Sequence, residues 1–392
     1  MPVYLDHAAS TPMLPEAIAA HVGALNTVGN PSSIHSQGQN ARRMLEEARE
    51  RVAAAVGADT IEVVFTSGGT EAVNLGVKGL FWARNADGER PRILVTAAEH
   101  HATIDTVEWL ENHEDAVIDW IEVDSDGGVS VDAMALAMGP DVALITMLAA
   151  NNEVGTLQPV AEIAALAAAA GIPVHVDAVS AFGHIRLDFH ELGIAAMSIS
   201  AHKIGGPFGI GALVVARTAS VTPLLHGGSQ QRGLRSGTQD VPAAVSFGVA
   251  AAIGAGADSG AVSPESDRRR ALRDRLIAGV RAAVPQAVLR GHSSLRLDSN
   301  AHFTFPGCEG DSLLFLLDAA GISVSTGSAC QAGVARASHV LLAMGLDEAD
   351  ARGAIRMSIG HSTTGADVDA LLAALPGAVE RATRAGLSTR AR

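Results

Sequence analysis

The sequence predicts an α/β protein: a large domain over residues 1–257, built on a mostly parallel sheet covered by helices, and a smaller C-terminal α+β domain over 258–392. Three observations predict it. Short β-rich runs alternate with stretches of helical period, as parallel strands joined by crossover helices do. The strand-like runs are almost continuously apolar, which suits strands buried on both faces. At 254–266 (GAGADSGAVSPES) the composition shifts to small, turn-forming residues and marks a boundary.

In chain order, the strand candidates of the large domain are 61–65, 92–96, 117–121, 142–146, 173–176, 197–200 and 211–216. Between them lie helical stretches at 39–56, 71–85, 102–112 and 160–170. Past the boundary come an arginine-rich helix at 267–283, a strand at 301–305 and a helix at 311–320. Strands at 322–325 and 354–359 and a last helix near 367–385 complete the chain. No internal repeat or low-complexity tract stands out.

Hydrophobic residues make up 48% of the chain, ample for a buried core, and 28 Lys+Arg stand against 42 Asp+Glu for a net charge of −14. That balance argues against a nucleic-acid or anionic-membrane partner, since either needs a basic face. Residues 1–11 carry Asp6 and no apolar leader pattern. The apolar uncharged stretch 241–257 contains Pro242 and falls short of the ~20 apolar residues of a spanning helix. The chain therefore reads as soluble and cytoplasmic. Lysine and cysteine are scarce: only Lys78, Lys203, Cys308 and Cys330 occur. Neither lysine sits in a Walker or kinase setting, and two cysteines without a C-x-x-C exclude zinc ribbons, iron–sulfur ligand sets and disulfide scaffolds.

Six places carry potential chemistry. Thr66-Ser67-Gly68-Gly69-Thr70-Glu71 joins a strand to a helix. Its glycines and free N–H groups suit a single phosphate, while an ordinary turn N-capped by Ser67 or Thr70 fits equally well. Lys203 ends Ser200-Ala201-His202-Lys203 ahead of the glycine-rich run 205–211. At a strand's end its amine is partly desolvated and nucleophilic, as a Schiff base requires; the plain alternative is a solvated loop lysine. Asp177, in Val174-His175-Val176-Asp177, stands at a strand's carboxyl end, where open α/β sheets bind ligands. It competes with a helix cap, and with a His175–Asp177 metal pair that lacks a third ligand.

Cys330 lies among Gly, Ala and Ser at 326–333, which suits an exposed reactive thiol, whereas Cys308 beside Glu309 reads as structural. Arg356 in an apolar strand is either a buried ion-pair member or a bidentate carboxylate receptor. Glu99-His100-His101 offers an imidazole for stacking or proton transfer, or an unremarkable histidine. Together, a phosphate cradle, an amine, an acid for a pyridine nitrogen, a stacking ring and a carboxylate clamp describe pyridoxal phosphate handling an amino acid.

On these motifs the chain resembles a cysteine desulfurase, a class V aminotransferase-type protein of pyridoxal-phosphate fold type I, closest to the actinobacterial-like iron–sulfur-assembly form. The resemblance runs from Tyr4-Leu5-Asp6-His7-Ala8-Ala9-Ser10-Thr11-Pro12 and Asn30-Pro31-Ser32-Ser33-Ile34-His35 through Asn151-Asn152-Glu153-Val154-Gly155 to Arg235-Ser236-Gly237-Thr238, Gly327–Cys330 and Arg356. It implies that Lys203 holds pyridoxal 5'-phosphate and shuttles the Cα proton. Asp177 would pair with the ring nitrogen, and His100 would stack on the ring and share in proton transfer. Gly69, Thr70, Ser200 and His202 would bind the phosphate, with Thr238 reaching in from the second subunit of a homodimer. Asn152 would approach cofactor and substrate; Arg356, assisted by Asn30, would receive the carboxylate of L-cysteine. Cys330 would take the sulfur as a persulfide and pass it to an acceptor protein, either an iron–sulfur scaffold or a tRNA-thiolation protein. No metal, nucleic-acid contact or membrane is implied.

Three positions depart from the family pattern: Ser180 where glutamine usually bonds the ring hydroxyl, Ser10 for threonine, and Ala337 for proline. Ser180 is the one that matters, because serine is too short for that direct contact and leaves room for a water. Within the same fold, a selenocysteine lyase, a cysteine-sulfinate desulfinase or a plain aminotransferase shares all but the need for Cys330. A non-catalytic sulfur-assembly scaffold is the alternative from another class.

Overall fold

The computed structural model describes residues 2–254, 264–327 and 337–390, with side chains to residue 384; Cys330 lies outside the described residues. In chain order the elements begin with β1 (Val3–Tyr4), α1 (Pro15–Leu25), α2 (Ser36–Ala55), β2 (Val63–Thr66), α3 (Gly69–Arg84) and β3 (Arg92–Thr96). Then come α4 (His101–Glu114), β4 (Val117–Ile121), α5 (Val131–Ala137), β5 (Val142–Leu148), α6 (Val160–Ala169) and β6 (Val174–Asp177). The large unit ends with α7 (Phe189–Leu192), β7 (Ala196–Ser200), β8 (Gly211–Val215) and α8 (Val241–Gly254). Beyond it follow α9 (Pro264–Ala283), β9 (Val288–Arg290), β10 (Asn300–Thr304), α10 (Gly310–Ala319) and β11 (Ile322–Ser323). The last elements are α11 (His339–Ala343), α12 (Glu348–Arg352), β12 (Ala354–Ser358) and α13 (Gly365–Arg390).

Seven strands form the main sheet in the order β2-β8-β7-β6-β5-β3-β4. From β4 to β7 all neighbours run parallel, whereas β8 is antiparallel to both β7 and β2. The connection explains the reversal. A parallel return needs about a dozen or more residues, usually with a helix, and residues 201–210 hold only a short turn and glycines. Every residue of β5 and β7 is buried, as the apolar runs predict. One face packs Leu45, Val52, Phe182 and Phe247 against the sheet, and the other packs Val73, Leu80, Phe81 and Leu110.

Helices α1, α5 and α8 are among the elements the sequence reading did not name, and α8 shows why. Its buried positions, including Val241, Ala244, Phe247 and Ala251, go nearly all the way round, so it has no polar stripe to betray a helical period. At Gly248 a Cβ would stand 3.0 Å from Cα of Ala48, so glycine lets α8 press directly on α2. Among the described residues no helix is long and apolar enough to cross a membrane.

The second core gathers Leu276, Val280, Phe303, Leu313, Ile355 and Leu371 around the antiparallel sheet β12-β10-β9. Leu5 belongs to this core, and β1 pairs in parallel with β11, Val3 opposite Ile322. The sequence boundary groups these first residues with the chain up to 257; in the structure Val3 and Leu5 pair and pack with residues beyond it. A two-residue strand is too short to show a period, so only its distant partner settles where it goes.

One loop covers a sheet edge with a side chain. Ser229, Gln231 and Arg232 all adopt left-handed backbone, costly for non-glycine residues. That geometry aims Gln231 at edge strand β2: its Oε1 accepts from the Phe65 N–H at 2.7 Å and its Nε2 donates to the Phe65 carbonyl at 2.7 Å. The amide stands where another strand would pair. Gln231→Ala orphans both backbone groups and will cost about 2 kcal/mol, read as a lower midpoint in urea unfolding. An unchanged midpoint would show that water replaces the amide at no cost.

Candidate active site

The carboxyl ends of β2, β3, β5, β6 and β7 converge on one cavity of about 370 Å³, the crevice where open α/β sheets bind ligands. Its floor at one end is the start of α3. A Cβ on Gly69 would lie 2.8 Å from Val179 Cγ2 and 3.4 Å from Ser200 Cβ, so a side chain would crowd both, and Gly69 lines the cavity with backbone alone. Glu71 braces this turn, accepting from the Ser67 N–H at 2.7 Å and pairing with Arg235 at 2.9 Å. The Ser200 Oγ and His202 Nδ1 are buried without a partner among the described residues, as polar atoms that await a ligand are.

Lys203 follows β7 in a short helical turn and extends across the cavity. Its Nζ donates to the carbonyls of Ala8 and Ala9 at 2.5 and 3.1 Å. Burial, aided by the Arg356 charge and opposed by Asp6 and Asp177, brings its pKa down to about 8. The amine is thus far closer to neutral than an ordinary lysine, the condition for nucleophilic attack. Asp177, at the end of β6, accepts from the Val179 N–H at 2.9 Å. Burial pushes its pKa up to about 6, against the pull of that N–H and of Lys203, so an acid waits for a cationic partner.

His100 caps α4, its Nδ1 accepting from the Ala102 N–H at 3.1 Å. That bond leaves Nε2 to carry the proton, and burial together with Lys203 lowers the ring's pKa to about 4. A neutral imidazole with a fixed orientation suits stacking. Beneath it, fully buried Glu99 accepts from the Leu148 N–H at 2.9 Å and from the Thr96 hydroxyl. Burial raises its pKa to about 8, so it is a neutral acid at pH 7.

Arg356 bears out the ion-pair reading and keeps a place at the cavity. From β12 it pairs with Asp6 Oδ1 at 2.9 Å, donates to the Asn152 carbonyl at 2.9 Å and still lines the cavity. Its Nε and the Asn152 Oδ1 have no partner among the described residues. His175, by contrast, spends both ring nitrogens on Thr146 and Ser198, at 2.9 and 2.8 Å, and has none left for a metal.

Of the residues singled out from the sequence, Gly69, Thr70, His100, Asn152, Asp177 and Ser180 line the cavity. So do His202, Lys203 and Arg356, while Ser200 is buried beside Gly69. Asn30 and Thr238 are exposed and stand outside the cavity lining; Asn30 spends its Oδ1 on the Ser32 N–H at 2.9 Å. Sequence reasoning assigned no role to the carbonyls of Ala8 and Ala9 or to Asp6. Only the position of Asp6 two residues before Ala8 in a short uncharged run hints at them. The remaining candidates are structural: Lys78 lies 4.0 Å over the Trp109 ring, and Cys308 is buried against Thr383.

The residues fit pyridoxal phosphate: one cavity gathers Gly69, the unpartnered His202 Nδ1, the Asp177 carboxyl and an amine of lowered pKa, with the unpartnered Ser200 Oγ beside Gly69. Comparison with known proteins agrees. The aminotransferase class-V family model matches residues 3–371. The chain is 52% identical to an IscS-like cysteine desulfurase of Mycobacterium tuberculosis, covering 98% of each chain. It is 40% identical to the cysteine desulfurase IscS of Methanosarcina thermophila, over 97% of this chain and 92% of the relative. Among solved structures, a NifS-like protein superposes with a TM-score of 0.89 at 32% identity, covering 97% of this chain and all of the other.

Proposed function

The chain belongs to the class-V aminotransferase family, as a pyridoxal-phosphate-dependent cysteine desulfurase, and from that premise we propose how its own residues convert L-cysteine to L-alanine and mobilise the sulfur for iron–sulfur cluster assembly. The observation that carries the reading is one cavity holding Lys203 at a pKa of about 8, Asp177 at the end of β6 and the buried guanidinium of Arg356.

Gly69, Thr70, Ser200 and His202 would hold the phosphate, Asp177 the ring nitrogen, His100 the ring face and Lys203 the aldehyde carbon. Asn152 and Ser180 border the ring, and Thr238 of the partner subunit completes the phosphate site in a homodimer. Exposed Ile18, Val22 and Leu25 on α1 support such a dimer by offering an uncovered apolar face. When bound, pyridoxal phosphate supplies an electron sink that acidifies the substrate Cα–H and weakens the Cβ–S bond. Arg356 receives the substrate carboxylate through its free donor and turns the Cα–H toward Lys203. Lys203 Nζ takes that proton and returns one, and His100 Nε2 holds a second within reach of the leaving sulfur.

Cys330 accepts the sulfur: its thiolate attacks the substrate sulfur, an S–S bond forms, and the Cβ–S electron pair stays with the substrate carbon. Protonation there gives alanine, so that cysteine and the Cys330 thiol become alanine and a persulfide with no further reagent. The thiol chemistry suits a reducing cytoplasm. A carrier of the iron–sulfur scaffold or tRNA-thiolation kind then takes the sulfur.

Mass spectrometry tests the reading. After incubation with L-cysteine, the Cys330 peptide will gain one sulfur atom as alanine accumulates. Cys330→Ala will lose about 10²-fold or more in turnover while keeping the cofactor. Wild-type turnover by that variant would remove Cys330 from the mechanism.

A further inference from the structure

The Asn151–Glu153 turn after β5 connects two things that sulfur transfer must bring together. On one side, the Asn152 carbonyl accepts from Arg356 Nη1 at 2.9 Å, so the substrate's carboxylate receptor is referenced to this turn. On the other, the next residue, Glu153, meets both ends of the stretch that carries Cys330. Ser338 Oγ donates to Glu153 Oε2 at 2.5 Å, across 185 positions of sequence. At the other end, a Cβ on Gly327 would stand 3.3 Å from that same oxygen and 3.1 Å from Nε2 of His302.

The carboxylate is well held. Glu153 is 2% exposed, its N–H donates to Asn151 Oδ1 at 2.9 Å, and its carbonyl accepts from Asn300 Nδ2 at 3.0 Å. His302 backs it from β10, directly opposite Arg356 on β12, fully buried and with neither ring nitrogen partnered among the described residues. Gly327 has a φ of +86°, a conformation that glycine adopts without cost, and a side chain there would crowd Glu153 and His302.

We propose that Glu153 is a positioning residue for sulfur transfer: its carboxylate, bonded to Ser338 and close against Gly327, anchors the residues that flank the Cys330 stretch on the turn that also holds Arg356. This rests on the reading of Cys330 as sulfur acceptor. Alignment of reacting atoms is worth large factors in rate, and errors near 1 Å cost about 10²-fold.

The test uses the holoenzyme and reads persulfide formation on Cys330 by quenched-flow mass spectrometry. Ser338 also caps α11, accepting from the Leu341 N–H at 3.2 Å, and an N-cap tolerates glycine at little cost to the helix. Ser338→Gly therefore removes the donor without adding a charge, and Glu153→Ala breaks the same link from the other end. Both will slow persulfide formation about tenfold or more, while the KM for L-cysteine and the cofactor's absorbance change on adding it stay at wild-type values. Glu153→Gln, whose amide oxygen still accepts from Ser338, will recover most of the rate. The Glu153→Ala/Ser338→Gly double variant will be no slower than the slower single.

Wild-type persulfide rates in Ser338→Gly, or a loss of absorbance change parallel to the loss of rate, overturn the inference. Should Glu153→Ala fail to fold, Ser338→Gly decides alone. Cys330→Ser run alongside separates the two levels: wild-type sulfur mobilisation by it overturns the acceptor reading itself, whereas its failure beside normal Glu153 and Ser338 variants overturns only the positioning role.

Discussion

Lys203→Ala will lower steady-state conversion of L-cysteine by about 10³-fold or more and leave the purified protein without the visible absorbance of covalently held cofactor. Lys203 is the amine of the cavity, and the other lysine, Lys78, is occupied over Trp109. Its surroundings show why no distant group can substitute. Burial and Arg356 hold its pKa near 8, so that at pH 7 about one amine in ten is neutral, against fewer than one in a thousand at the ordinary value. The sign follows: the neutral form reacts, so cofactor attachment to the apoprotein will quicken as pH rises and level off above about 8. Stopped-flow absorbance between pH 6 and about 10 checks both parts. A rate independent of pH, or a coloured Lys203→Ala protein, would contradict this assignment.

Arg356→Gln should raise the KM for L-cysteine by about 10²-fold, the worth of a charge-assisted pair in a shielded site. Two further effects come from the same charge. Asp6 loses its partner at 2.9 Å, which will cost about 2 kcal/mol of stability, less than for a fully enclosed pair because Asp6 keeps some exposure. Arg356 also lowers the Lys203 pKa, whereas Asp6 raises it. Removing the guanidinium and freeing the carboxylate therefore act in one direction, and the pH profile of cofactor attachment will move to higher pH. Arg356→Lys keeps the charge and should leave that profile near the wild type while still weakening substrate binding, because an ammonium cannot bond Asp6, Asn152 and a carboxylate at once. A profile that stays in place for Arg356→Gln would separate the two side chains electrically.

Much of this was legible in the sequence, for reasons that differ by element. The strands of the main sheet are apolar runs that end in Thr66, Asp177 and Ser200, and burial on both faces leaves that signature wherever it occurs. The chemical residues stand at those ends, so locating the strands located the cavity. Helix α8 escaped because complete burial erases the alternation that marks a helix. The brace from Gln231 to Phe65 escaped because it joins residues 166 positions apart through a backbone conformation that non-glycine residues seldom adopt. Asn30 and Thr238 carry family roles yet lie outside the cavity lining of one chain; for Thr238 the resemblance itself looks to a second subunit. Cys330 was picked out by chemistry alone, as a thiol among small residues.

The pairing of β1 with β11 also sets an order of events. Asp6 and Arg356 are 350 positions apart, so the strand made first waits for nearly the whole chain before it has a partner. Closing a loop of that length is the slow, entropically opposed kind of step, and it comes after the local crossovers of the main sheet can already have formed. Until then Lys203 lacks its two carbonyl acceptors and Arg356 lacks its counter-ion. Pulse-labelling hydrogen exchange during refolding should therefore protect β5 to β7 before the amides of Val3 and Leu5. A newly made chain acquires its tertiary sheet first and its reactive amine last, which keeps a nucleophilic lysine out of chemistry while the protein is still being assembled.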